Sequence, residues 1–63
     1  MTKRECKRIA QKIAIYEIQM RIAANVDEKI KIEKKIENLC SEAKDMRDMM
    51  MIDEYVQEIL SNS

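Results

Sequence analysis

The sequence contains no glycine, proline, histidine, phenylalanine or tryptophan. Without glycine the chain has no glycine-rich loop for a phosphate group, and without histidine it has neither a Ser/His/Asp set nor the histidine ligands of a typical zinc site. The two cysteines are widely separated in sequence and form no Cys-x-x-Cys pair. We therefore expect no enzymatic activity, no metal site and no bound cofactor.

Long apolar runs are missing as well. The stretch richest in apolar residues, 13–26, is interrupted by Glu17 and Arg21, whereas a membrane-spanning helix needs about 20 mostly apolar residues. The basic start is not followed by the apolar core of a signal peptide. Cys6 and Cys40 suit a reducing compartment as free thiols, although their number also allows one disulfide. The sequence predicts an intracellular, cytoplasmic protein without a membrane partner.

Apolar residues recur at alternating spacings of three and four, the pattern of helices that pack against one another. This repeat keeps one frame up to Met50, with polar interruptions at Asn25 and Lys29. The predicted oligomer seam consists of Ile15, Ile18, Ile22, Ile32, Ile36, Leu39, Ala43, Met46 and Met50. The first helix carries a second apolar face, so we expect it to contact more than one neighbour. The members of that face are Ile9, Ile13, Tyr16, Met20 and Ala23.

Capping residues divide the pattern into helices. Thr2 followed by Glu5 is a capping-box pattern that starts a helix. Asn25 favours the left-handed end of one helix, and Asp27 can cap the next. Asp53 is the expected cap of a short third helix. We predict one helical domain over residues 1–63, with helix 1 at about 2–24, a turn at 25–27, helix 2 at about 28–51 and helix 3 at about 53–60.

The predicted fold class is all-α, an antiparallel helical hairpin with a short C-terminal helix. We expect it to self-associate into a helical bundle, most simply a homodimer. Chains below about 70 to 80 residues seldom form a sufficient core without a disulfide, a metal or a partner subunit. The alternative is a single long helix in a coiled coil, in which Asn25 and Lys29 would set the register.

Opposite charges are concentrated near the two ends of the chain. The first twelve residues have a net charge of +4, and residues 42–58 have a net charge of −4. In a hairpin the two blocks would face each other, with Arg4 and Lys7 alongside Asp48 and Asp45. The basic block also supplies the candidates for contact with a nucleic acid, which are Lys3, Arg4, Lys7, Arg8 and Lys12.

A methionine-rich turn at residues 46–51 offers a candidate docking surface, because flexible thioether side chains adapt to partners. Packing inside the protein is the competing interpretation of the same residues. The candidates for docking a partner are Met49, Met51, Ile52, Tyr55, Val56 and Ile59.

These patterns predict binding without catalysis. The expected protein is a small helical module for protein–protein interaction, assembly or regulation, which acts as a homo-oligomer and contacts itself or another helical protein. The first alternative is a nucleic-acid-binding helical dimer that uses the basic face of helix 1. The second is a redox-sensitive thiol switch at Cys6, because its place in the first helical turn, flanked by Lys3, Arg4 and Lys7, would lower the thiol pKa.

Overall fold

The protein consists of three α-helices in a computed structural model that describes residues 1–62. They are α1 (Lys3–Ile22), α2 (Val26–Cys40) and α3 (Met46–Ser61). No β-strand occurs in the described residues, so the all-α prediction is confirmed. The first helix packs against both of the others. The turn at 23–25 folds α2 back on α1 as a hairpin, which excludes one continuous helix within the chain.

Each helix begins at a residue whose side chain accepts a hydrogen bond from the first turn. Thr2 Oγ1 accepts from the backbone N–H of Glu5 at 3.2 Å, so the predicted cap at Thr2 is confirmed. Asn25 Oδ1 and Asp45 Oδ1 each accept from the backbone N–H three residues later at 2.8 Å. These bonds satisfy N–H groups that have no partner inside the helix.

Both later helix boundaries differ from the prediction. Asn25 has extended backbone (φ −137°, ψ 166°) and caps α2 itself, so the left-handed conformation and the cap at Asp27 were wrong. The second helix ends at Cys40 instead of continuing to residue 51, and α3 begins at Met46 rather than near residue 53. The physical reason is the carboxylate of Asp45, which caps α3 and starts a new helix inside the apolar repeat.

The core lies where α3 packs against the N-terminal half of α1. Its small members Cys6 and Ala10 are fully buried and leave room for the larger Ile52 of α3. The complete cluster is Cys6, Ile9, Ala10, Ile13, Ile52 and Val56. Half-buried side chains from α2, α3 and the segment between them surround this cluster, namely Ile36, Leu39, Cys40, Ala43, Met51, Tyr55, Ile59 and Leu60.

We expect Asp45→Ala to lower the free energy of unfolding by about 1 kcal/mol, because the first turn of α3 loses its side-chain acceptor. Asp53→Ala is the matched control, since Asp53 is exposed inside α3 and caps no helix start. It should change the free energy by less than about 0.5 kcal/mol. Urea unfolding followed by circular dichroism measures both, and a larger loss in Asp53→Ala would contradict the observed start of α3.

Candidate functional site

Three isoleucines of α1 face solvent in a single row. Ile15, Ile18 and Ile22 are 55%, 41% and 78% exposed, and their spacing of three and four residues places them on one side of the helix. We call these three residues the isoleucine stripe. Exposed isoleucines are unremarkable singly, but three in a row form an apolar surface of the kind that binds a partner.

The stripe exists because α1 uses another side to pack within the chain. Ile9 and Ile13 of the second apolar face are buried. The remaining members of that face, Tyr16, Met20 and Ala23, are half-buried. At its C-terminal half this face meets α2, where Lys35 Nζ lies 5.7 Å from the centroid of the Tyr16 ring.

The predicted oligomer seam is therefore divided between the inside and the outside of the chain. Its central members are half-buried within one chain, namely Ile32, Ile36, Leu39 and Ala43. Its two ends face solvent, and they are the isoleucine stripe together with Met46 and Met50. Within this seam, the exposed ends are the parts most accessible to another molecule.

A basic surface precedes the isoleucine stripe on α1. One shallow depression there is lined by Lys3, Arg4, Lys7, Arg8 and Gln11, and we call it the basic depression. Four of the five predicted nucleic-acid contacts thus lie together. The fifth, Lys12, lines a neighbouring depression that also contains Arg8 and two carboxylates, Glu5 and Glu42.

The acidic start of α3 lies beside this basic half of α1. Asp48 is largely buried there, and the charges of both Asp48 and Asp45 act on the Cys6 thiol. The individual partners differ from the predicted ones: Lys7 Nζ lies 5.5 Å from the centroid of the Tyr55 ring, and Asp45 Oδ1 caps α3. The oppositely charged segments are neighbours, but Lys7 makes a cation–π contact with Tyr55 and Asp45 caps α3.

The methionine-rich turn is only partly exposed. Ile52 and Val56 are 1% and 4% exposed in the core, so the prediction that they dock a partner was wrong, since their face of α3 packs on α1. Of the other docking candidates, Met51, Tyr55 and Ile59 are half-buried and Met49 is just exposed.

Neither thiol matches a redox sensor. Burial raises the pKa of the Cys6 thiol, and the negative charge of Asp48 adds to this effect. The lowered pKa inferred from Lys3 and Arg4 was therefore wrong, because Cys6 faces the core while those cations are exposed. Burial also raises the pKa of the half-buried Cys40 thiol, followed by the charge of Glu17. Both cysteines are free.

We expect the protein to lose stability as the pH rises through 9, the ordinary pKa of a cysteine thiol. In the unfolded chain Cys6 loses its proton near that pH, whereas the buried thiol retains it, so ionisation favours unfolding. Cys6→Ala should show a smaller fall in the free energy of unfolding between pH 8 and 10. Urea titrations at several pH values test this, and equal slopes for both proteins would contradict the raised pKa.

The described residues contain no group of three or more Cys, Asp or Glu side chains placed to hold a metal ion. No helix within residues 1–62 has the length and apolar content needed to cross a membrane.

Comparison with known proteins assigns no family to the chain. No protein-family model matches it, and no curated protein and no solved structure is significantly similar to it.

Proposed function

We propose that the protein is a non-catalytic helical assembly module that acts as a homo-oligomer, most simply a dimer, in the cytoplasm. The observation that carries the proposal is the surface area of a single chain. It exposes 5006 Å², whereas a compact monomer of 7.5 kDa exposes only about 4,250 Å². The single chain thus exposes about 750 Å² more surface than a compact monomer of its mass, because it is a flat molecule with extents of 35 × 25 × 14 Å.

The isoleucine stripe is the part of this surface best suited to a partner. Fully burying one isoleucine side chain contributes about 1.5–3 kcal/mol, and all three lie on one regular helix. Within residues 1–62 only seven apolar residues are buried, the six of the core cluster and Ala14. A second copy placed on the stripe would add a second buried apolar cluster on the opposite side of α1, and association with a partner subunit is how chains of this length commonly reach stability.

Light scattering after size-exclusion chromatography tests the proposal. We expect the wild-type protein at high micromolar concentration to have twice the 7.5 kDa mass of one chain. Ile18→Glu should return it to the monomeric mass and keep its helical circular dichroism, because the introduced carboxylate would be buried only in a dimer.

Ile30→Glu is the matched control, since Ile30 is 44% exposed, close to the exposure of Ile18, but lies on α2 beyond the turn that follows the stripe. This variant should remain dimeric. A monomeric wild-type protein, or an Ile18→Glu variant as dimeric as Ile30→Glu, would overturn the proposal.

A polyanion such as a nucleic acid is the second candidate partner. The specific observation in its favour is the basic depression, which gathers Lys3, Arg4, Lys7 and Arg8 around Gln11 with no carboxylate among its lining residues. Phosphate oxygens bind such a cluster through charge, without reading the base sequence.

Fluorescence anisotropy with labelled RNA and DNA duplexes tests this second candidate. We expect the double variant Arg4→Glu, Arg8→Glu to weaken binding more than tenfold and to flatten its dependence on salt, because fewer counterions are released. The double variant Lys34→Glu, Lys44→Glu carries the same change in net charge at exposed positions outside the depression. Equal losses in both variants, or no binding by the wild type at low salt, would argue against a nucleic-acid site.

A further inference from the structure

We infer that two copies of the chain pack their α1 helices antiparallel along the isoleucine stripe, so that Ile15 of one copy lies beside the partner's Ile22. This arrangement rests on the proposed homo-oligomer and specifies its geometry. The proposed occupant of the stripe is a second copy of this chain, because a single chain exposes about 750 Å² more surface than a compact monomer of its mass and two-fold dimers are the commonest soluble oligomers.

The stripe itself has the symmetry that such a dimer needs. Ile18 lies near its middle, with Ile15 three residues before and Ile22 four residues after. A two-fold axis close to Ile18 pairs Ile15 of one copy with Ile22 of the other and brings the two copies of Ile18 together. The same surface then serves both copies, as an isologous interface requires.

Charge decides between the two directions of packing. Packed helices lie about 8–10 Å apart, so a parallel pair would hold the two basic segments of α1, each with a net charge of +4, side by side. That separation is no larger than the Debye length of about 10 Å at 0.1 M salt. In the antiparallel pair, Arg8 of one copy and Arg8 of the other lie about 30 Å apart along the axis, at 1.5 Å per residue.

The antiparallel direction also brings opposite charges together. Asp27 and Glu28 form the acidic first turn of α2, and Glu28 lines the same depression as Ile22. Lys12 precedes Ile15 by three residues, so it comes level with the partner's turn after Ile22. Lys31 and Lys35 also line this depression, but both lie further along α2 from the turn. Such exposed pairs add little affinity, but they favour one orientation over the other.

Disulfide cross-linking between single introduced cysteines tests the direction. The variants are Ile15→Cys, Ile18→Cys and Ile22→Cys, each made together with Cys40→Ala and with the buried Cys6 retained. In the antiparallel dimer, cysteines at position 18 meet at the axis and form a disulfide under mild oxidation. Two cysteines at position 15 are about 10 Å apart along the axis, beyond the 4.4–6.8 Å Cα separation of a disulfide.

We expect Ile18→Cys to cross-link at least tenfold faster than Ile15→Cys or Ile22→Cys alone, and an equal mixture of the last two to form a mixed disulfide. Comparable self-linking at all three positions would indicate parallel helices and overturn the inference. Val26→Cys, outside the stripe, should cross-link slowly.

Light scattering under reducing conditions separates failure of the geometry from failure of the proposed function. A monomeric mass for every variant and for the wild-type protein contradicts both proposals. A dimeric mass without the antiparallel pattern of cross-links contradicts only the geometry and leaves the homo-oligomer in place.

Discussion

The contact between α3 and the N-terminal half of α1 determines how the rest of the chain is arranged. Fully buried small side chains, Cys6 and Ala10, meet Ile52 in this contact. By turning Ile9 and Ile13 inward it fixes the rotation of α1 about its own axis. The isoleucine stripe lies on the opposite side of α1 from this buried face. Because α1 packs against α2 and α3 through its other side, the isoleucine stripe faces solvent.

How much of this could be predicted from the sequence depends on whether the signal was local. The cap at Thr2 and the all-α class follow from neighbouring residues and from periodicity, and both agree with the structure. The break at 41–45 was missed because the apolar repeat passes through Ala43 and Met46 without changing frame, and neither glycine nor proline marks the turn. One local signal was available. Asp45 directly precedes the helix that carries Ile52 and Val56 on its buried face, and aspartate is a strong N-cap.

The candidate sites depended on contacts between distant segments, which the sequence does not contain. The local neighbours of Cys6 are cations, but its environment is set by burial and by Asp48 of α3, so its pKa moves in the opposite direction. Likewise the sequence of helix 1 shows both a part of the predicted seam and a second apolar face. Periodicity alone does not tell which of the two packs inside the chain. The structure assigns the inner role to Ile9 and Ile13 and leaves Ile18 outside.

The two proposed partners are compatible on one molecule. The stripe and the basic depression follow one another along α1, and an antiparallel dimer would place one basic depression at each end of the shared interface. Self-association would then cover the apolar half of α1 and leave Arg4 and Arg8 accessible at both ends. Charge would thus set the direction of assembly, and burial of apolar surface would supply its free energy.

In the proposed dimer a second copy of the chain covers the isoleucine stripe. The most direct measurement is an isotope-filtered nuclear Overhauser spectrum of a mixture of ¹³C-labelled and unlabelled protein, which detects contacts between copies only. We predict contacts from the methyl groups of Ile15, Ile18 and Ile22 to the unlabelled copy. Intermolecular contacts confined to other surfaces, or no such contacts at high micromolar concentration, would contradict the proposed interface.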